Sequence, residues 1–479
     1  MQRFNLALAA LLLATTATAG AAPAKPAAKA TAKAKPAAKP ASRPVASAPR
    51  IVALPDTPEI AELRRGYRFA FPVYEMMRTR GVQLGRAKAL GLPNAVNFLL
   101  PKLTLADATS RDVTTPNNDT LYGSVWLDLS GGPVLVTVPA LGGRYHSAAL
   151  MSAQTDNTAI LGTRTGGQGG RYAIVGPGYT GPTPAGTELV RSASTDAWLL
   201  IRVLVNGPED IESAANALDG FKVVAAEGNA TPTETPTETL PAPAVPNGKT
   251  FLAVVNEALA RSAANATLSG KAAGFAGLGI GGEATAETVA MWTKYLPALR
   301  AELKDGLASA GDVVDGWSYP KPGIGEAGAD DDLRSYVAVG GLAALPRVEA
   351  MYLTARTDKD GAALTGARAY RVNLPPRLPV GAFWSLTMYQ QEANGGLYFV
   401  ANSLNRFAVG DRSKHLRSNR DGSYEIFVQA ARPEGERVVN WLPAPKGKFV
   451  LVWRAYLPRA PLLDGSFHLP PVEIGEVVP

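Results

Sequence analysis

Apolar residues recur at helical spacing over residues 58–77, with Ile60, Leu63, Tyr67, Ala70, Phe71 and Tyr74 sharing a face. This predicts an opening helix that Pro72 kinks or ends. Beyond Pro101 the text changes to short runs of β-branched and aromatic residues at 122–129, 134–138, 144–151, 171–175 and 197–205. Gly131-Gly132-Pro133, Gly142-Gly143, Gly166-Gly167 and Gly176-Pro177-Gly178 separate them. Short strands between glycine and proline breaks predict a β-sandwich. Helical spacing returns within 250–315, at 251–263 and 285–307, and strands resume at 369–374, 383–390, 423–429 and 448–456, with Asp421-Gly422 as a hairpin turn. The pattern predicts a mainly β chain: two antiparallel β domains with a helical insert between them.

The ends of the pattern carry no such periodicity. Met1-Gln2-Arg3, an apolar run over residues 4–14 and Ala17-Thr18-Ala19 read as a secretory signal peptide over residues 1–19, cleaved before Gly20. Residues 20–50 are almost entirely Ala, Pro and Lys, which have nothing to bury and predict a disordered spacer. The repeats Thr231-Pro-Thr-Glu and Thr235-Pro-Thr-Glu predict a linker at 229–248, since proline at that density can neither continue a helix nor sit inside a sheet. The body therefore divides into an N-terminal domain (51–228), a helical segment (249–345) and a C-terminal domain (346–479).

Charge changes this picture only at the tail. The 479 residues hold 48 basic and 41 acidic side chains, net +7, yet residues 1–50 carry eight basic groups and no acidic one. The body is balanced, which argues against the basic stripe a nucleic-acid groove requires. Absence of cysteine excludes disulfides, thiolate metal sites and a Cys nucleophile. The three histidines, His146, His415 and His468, are far apart in sequence, so no metal site is expected, and no cofactor either.

Familiar catalytic motifs fail on context. Gly277-x-Gly279-x-x-Gly282 follows no buried strand, so it reads as a loop, and Ser318-x-x-Lys321 contains Pro320. The densest polar text is Thr115-Pro-Asn117-Asn118-Asp119-Thr120-Leu-Tyr122, which is either an Asx-rich lead into a strand or a set of pocket groups. Arg144, Tyr145, Asp156 and Arg164 stand in or beside apolar strand text, where an unpaired charge is costly. They read either as a buried Asp–Arg network or as a site for an anionic or hydroxylated ligand.

These words, with Gly143-Arg-Tyr145, Leu161-Gly-Thr-Arg164 and Gly207-Pro-Glu-Asp210, resemble the bacterial family called domain of unknown function 1254. Phe383-Trp384-Ser-Leu-Thr-Met-Tyr389, Asn405-Arg406, Gly410-Asp411-Arg412, Asp421-Gly-Ser423, Asn440-Trp441-Leu-Pro-Ala-Pro445 and Leu463-Asp-Gly465 resemble its companion, domain of unknown function 1214. The resemblance spans about residues 55–479. It implies an immunoglobulin-like β-sandwich, a small all-α domain and a jelly-roll-like β domain, and no established activity. Ala408-Val409 departs from the more polar text usual before Gly-Asp-Arg.

The first expectation is an exported, periplasmic or secreted protein that binds a small polar or anionic ligand, with hydrolysis as a candidate activity. Asp119 or Asp156 would be the candidate general base and Arg144 an anion clamp. Asn117, Asn118, Tyr145, Arg164, Trp384, Tyr389, Asn405, Arg406, Asp411, Arg412, Asn440 and Trp441 would line the pocket. The alternative is a non-catalytic structural or assembly protein of the envelope, in which Asp411-Arg412 is a buried pair and Asn440-Trp441 a strand cap. Candidate partners are the small ligand, an anionic envelope polymer met by the basic spacer, and a second copy in a homo-oligomer; nucleic acid is not expected.

Overall fold

The computed structural model describes residues 51–92, 95–111, 113–226, 243–393 and 395–475. The expected signal peptide, the spacer and residues 229–242 of the linker lie outside the described residues. The chain is mainly β, with several sheets and a helical layer.

Helix α1 (Pro58–Ala89) begins where the Thr57 side chain accepts the Ile60 amide at 3.4 Å and Pro58 fills the first turn; Arg86 and Lys88 sit in its last turn. It runs through Pro72 rather than breaking there, and it is buried on nearly all sides from Phe69 to Met77. Packing supplies what the missing Pro72 donor removes.

The N-terminal strands are β1 (Leu100–Lys102), β2 (Thr120–Asp128), β3 (Val134–Val138), β4 (His146–Ser152), β5 (Asn157–Gly162), β6 (Gly170–Val175), β7 (Glu188–Arg191), β8 (Asp196–Leu204) and β9 (Lys222–Ala225). Helix α2 (Ile211–Asp219) lies between β8 and β9. One sheet has the order β1-β2-β8-β4-β5 and the other β7-β6-β3-β9. Leu199, Ile201 and Val203 point from β8 into the core between these sheets, and the alternate residues Trp198, Leu200, Arg202 and Leu204 point out of it.

Helices α3 (Gly248–Arg261), α4 (Ala266–Ala273), α5 (Ala286–Asp305) and α6 (Asp331–Gly340) pack with α1 in a single apolar cluster that also takes Trp126 and Trp198. Helix α3 therefore starts inside the linker drawn from sequence, and α1 belongs with the helical segment. The Gly277–Gly282 text lies between α4 and α5 with no strand before it.

The C-terminal strands are β10 (Gly311–Val314), β11 (Trp317–Pro320), β12 (Ala350–Ala355), β13 (Tyr370–Leu374), β14 (Val380–Gln391), β15 (Leu397–Tyr398), β16 (Ala408–Gly410), β17 (Tyr424–Gln429), β18 (Trp441–Pro443), β19 (Phe449–Pro458) and β20 (Glu473–Ile474). Helix α7 (Ala460–Leu463) separates β19 from β20. The large sheet runs β10-β11-β12-β19-β14-β15 with β16 also on β14, and the small sheet runs β18-β17-β13-β20. The β10–β11 hairpin, read from sequence as part of the helical segment, extends this large sheet. The Asp421-Gly422 turn does not close a hairpin: it leads into β17, which pairs with β13 and β18.

The two sandwiches share one topology. In chain order, β1 to β9 correspond to β11, β12, β13, β14, β16, β17, β18, β19 and β20, and the neighbours in both sheets match. Each small sheet carries one parallel pair in the same place, β6 with β7 and β17 with β18. The residue registers agree as well. Across the N-terminal large sheet Tyr122 pairs with Arg202, Arg202 with Ser147, and Ser147 with Gly162. Across the C-terminal one Tyr352 pairs with Arg454, Arg454 with Ser385, and Ser385 with Gly410. Both glycines are forced by the same close approach: a methyl on Gly162 would strike the His146 carbonyl, and one on Gly410 the carbonyl of Trp384, the matching residue. The chain is an internal duplication.

Candidate functional site

The outward faces of the two large sheets meet. Tyr145, Ala149, Ile160 and Leu204 of the first pack with Leu345, Ala350, Phe383 and Tyr456 of the second, and the Phe383 and Tyr456 rings stack at 4.0 Å. The polar contacts across this seam are reciprocal. Asp119, just before β2, takes Arg412 Nη2 at 2.8 Å and the Ser385 hydroxyl at 2.7 Å. Glu349, just before β12, takes Arg164 Nε at 2.7 Å and the Tyr145 hydroxyl at 2.6 Å. Asp119 matches Glu349 and Arg164 matches Arg412 in the duplication, so each sandwich holds the other by the same pair. That is the pattern of an isologous dimer interface, here within a single chain.

The central arginines repeat the exchange. Arg202 donates to the carbonyl of Ala343, in the loop leading to β12, at 2.8 Å. Arg454 donates to the carbonyl of Thr115, in the loop leading to β2, at 3.4 Å. Ala343 and Thr115 both adopt left-handed backbone, at φ 70° and 50°, a conformation side-chain-bearing residues keep only where their surroundings fix it.

The residues singled out from sequence divide. Asn117, Asp119, Tyr145, Arg164, Tyr389 and Arg412 meet at the seam. Asn117 closes an Asx turn on the Asp119 amide, as the strand-entry reading of this text expects, and donates to the Tyr456 hydroxyl at 3.0 Å. Tyr389 donates to the Pro116 carbonyl at 2.6 Å; burial pushes its phenol up to about 12, which keeps that donor protonated. The rest lie elsewhere. Arg144 forms a two-pronged pair with Asp210 at 2.5 and 2.7 Å inside the N-terminal sandwich. Asp156 holds Arg334 of α6 at 2.8 Å together with the Ala327 amide. Asn118 donates to the Ala106 carbonyl. Arg406 donates to the carbonyls of Val438, Val439 and Trp441, Asn440 bridges Arg417 and Glu425, and the Trp441 indole reaches the Gln429 carbonyl. Asn405 sits in a turn at φ 48°, and Trp384 packs edge-on to Tyr424 at 5.6 Å.

Asp119 and Asp156 each face an arginine and a second donor, and Arg144 pairs with Asp210. A cavity of about 10 Å³ lies away from the seam among the helices, between Tyr67, Tyr74, Pro246 and Arg300, and has room for one water at most. Among the described residues no helix is long and apolar enough to cross a membrane.

Residues 96–225 match the family described as Protein of unknown function (DUF1254), and residues 349–460 match Protein of unknown function (DUF1214). The chain belongs to this two-part family. The VPA0106 protein from Vibrio parahaemolyticus is similar in fold, with a TM-score of 0.65 and 22% identity over 87% of this chain and 99% of that one. A putative uncharacterized protein from Burkholderia cenocepacia matches with a TM-score of 0.43 and 14% identity, over 88% of this chain and 90% of that one. No curated protein matches.

The DUF1254 region thus spans the first repeat and the DUF1214 region most of the second, and Asp119, Arg164 and Arg412, from the words that mark them, take part in the grip between them. The sequence reading missed Arg202, Glu349, Tyr352, Ser385, Arg454 and Tyr456. The available signal was an arginine inside each of two apolar strands, at 197–205 and 448–456, where an unpaired charge is costly.

One position breaks the correspondence in a testable way. The His146 amide donates to the hydroxyl of Thr163 at 2.9 Å, whereas the matching Trp384 amide donates to the carboxylate of Asp411 at 3.3 Å. Burial pushes the Asp411 carboxyl up to about 6, more than the Arg412 guanidinium pulls it down. With the folded value above the unfolded one, the native state holds the extra proton, so stability falls as pH rises from about 4 to about 6. Asp411→Thr, copying the first repeat, is expected to remove that slope and to stabilise at pH 7. The side chain is 34% exposed, so solvent screening limits the gain to about 1 kcal/mol. Urea midpoints across pH 4–8 check it, and an unchanged slope overturns it.

Proposed function

We propose that this chain is an exported binding protein for a small anionic ligand, held without catalysis at the seam between its two sandwiches. The observation that carries the reading is a surplus of buried positive charge there. Arg202 and Arg454 are 5% and 4% exposed, stand on facing sheets, and form no ion pair among the described residues. The seam carboxylates are already taken, Asp119 by Arg412 and Glu349 by Arg164. A buried charge without a counter-charge is costly, and an anion supplied from outside offsets that cost.

Export rests on the N-terminal text, and the basic spacer would tether the body to anionic envelope polymers. The labels immunoglobulin-like and jelly-roll-like, expected for the two β regions, are best replaced by a single sandwich type, because both share one strand order.

The purified protein is expected to melt higher with small anions than with neutral sugars at matched ionic strength, since a ligand bound to the native state alone stabilises it by mass action. A panel of carboxylates, phosphate and sulfate with no member raising the midpoint overturns the binding reading. That result favours the structural role, whose own support is the number of family words spent on reciprocal ion pairs.

A further inference from the structure

The two repeats treat their central arginine differently. In the second, Arg454 Nη1 donates to the Thr387 hydroxyl at 2.8 Å and Nη2 donates to the Tyr389 hydroxyl at 2.6 Å. Thr387 and Tyr389 stand on β14 opposite Val452 and Val450, flanking Arg454 on one face of the sheet. Their matches on β4, opposite Leu200 and Trp198, are Ala149 and Met151. Neither offers an oxygen acceptor. Arg202 donates Nη2 to Ala343, and its Nη1 is buried with no hydrogen-bond partner among the described residues. An unmade bond on a buried guanidinium costs on the order of 1–3 kcal/mol, so the position calls for an explanation.

Phenols surround this missing partner. The Tyr122 ring lies 5.5 Å from the Arg202 guanidinium, and Tyr352, Tyr456 and Tyr145 are all near enough to interact with it electrostatically. The hydroxyls of Tyr145 and Tyr456 are engaged with Glu349 and Asn117. Those of Tyr122 and Tyr352 make no hydrogen bond to the described residues, and both side chains are partly exposed where the sheets meet. Both flank Arg202 with uncommitted hydroxyls.

We propose that Arg202 Nη1, with the Tyr122 and Tyr352 hydroxyls, is the seat of a small carboxylate. One carboxylate oxygen takes the place at Arg202 that Thr387 takes at Arg454, and the other accepts from one of these phenols. The charge is matched by Arg202 itself, and the partly exposed rings of Tyr122 and Tyr352 swing to admit it. This inference rests on the binding reading above and names the ligand class and the anchoring atom.

The test is titration calorimetry of the full chain with acetate, benzoate, succinate and inorganic phosphate, on wild type and two variants. Arg202→Met keeps the side-chain volume and removes the donor; Ala149→Thr gives Arg202 the hydroxyl that Arg454 already has. Wild type is expected to bind at least one carboxylate more tightly than phosphate. Both variants are expected to lose that affinity at least tenfold, Ala149→Thr while melting no lower than wild type, and removal of a charge at exposed Arg417 is expected to leave it unchanged. Should Arg202→Met not fold, Ala149→Thr decides alone. Carboxylate binding that survives Ala149→Thr overturns the seat but leaves an anion site elsewhere at the seam. Tighter binding of phosphate overturns the ligand class. Binding of no anion at all overturns the functional reading beneath both.

Discussion

Asp119→Ala is expected to cost about 3–5 kcal/mol, because it strips the nearer, buried carboxylate from Arg412, leaves it only the more exposed Asp411 at 3.5 Å, and strands the guanidinium at the seam over the Phe383 ring, 4.3 Å away. The Ser385 hydroxyl loses its acceptor in the same step. Glu349→Ala breaks the matching pair, but Arg164 is 37% exposed and can turn to water, so its expected cost is smaller, about 1–3 kcal/mol. The difference between the two is a prediction in itself: matched positions in a duplication should differ in energy as their burial differs. Joint replacement of Asp119 by Leu and Arg412 by Met removes both charges and should recover most of the loss, since a buried pair is worth little against apolar residues of similar volume. Urea unfolding followed by tryptophan fluorescence reads all four proteins. An Asp119→Ala loss below about 1 kcal/mol would show that the pair does not hold the sandwiches together.

Much of this architecture is readable from sequence. Short runs of β-branched and aromatic residues place most of the long strands, including those that become β2, β4, β8, β14 and β19, to within a few residues, and Ala/Leu-rich text places α3 and α5. The duplication is not readable in the same way. Tyr122 and Tyr352, Ser147 and Ser385, Gly162 and Gly410, Arg202 and Arg454 recur in the same order. The loops between them differ in length from one repeat to the other, so no fixed period survives and the helical layer separates the copies. Only strand register aligns them. The site was half visible for a related reason. Polar residues in loops, such as Asn117 and Asp119, stand out against their neighbours, whereas an arginine within an apolar strand reads as part of that strand until its pairing partner is known.

The reciprocal seam also explains why chemistry was easy to suspect. Polar residues concentrated in short words resemble an active site, but a two-fold interface makes the same demand for charge matched to charge, twice over. What separates the readings is the place where the symmetry fails. Arg454 is satisfied by its own repeat and Arg202 is not. On the binding reading proposed above, that difference is the ligand's place, and Ala149→Thr is the substitution that tests it.

Asp196→Ala is expected to cost about 3–5 kcal/mol and to loosen the helical layer from the N-terminal sandwich. Asp196 opens β8 and lies opposite Asp128 on β2, two like charges on neighbouring strands that would repel in isolation. Arg261 at the end of α3 relieves this, reaching Asp196 at 2.7 Å and Asp128 at 2.9 Å, while Arg80 of α1 closes on Asp196 with both side chains 1% exposed. Without Asp196, the buried Arg80 loses this carboxylate and two helices lose their shared anchor on the sheet. Asp196→Asn retains one acceptor and should cost less, because only the charge is removed. Hydrogen exchange distinguishes this anchoring from a local strand defect. Faster exchange across α1 and α3 together is the expected result, and acceleration confined to β8 and β2 would show that the helices are held by their apolar packing alone.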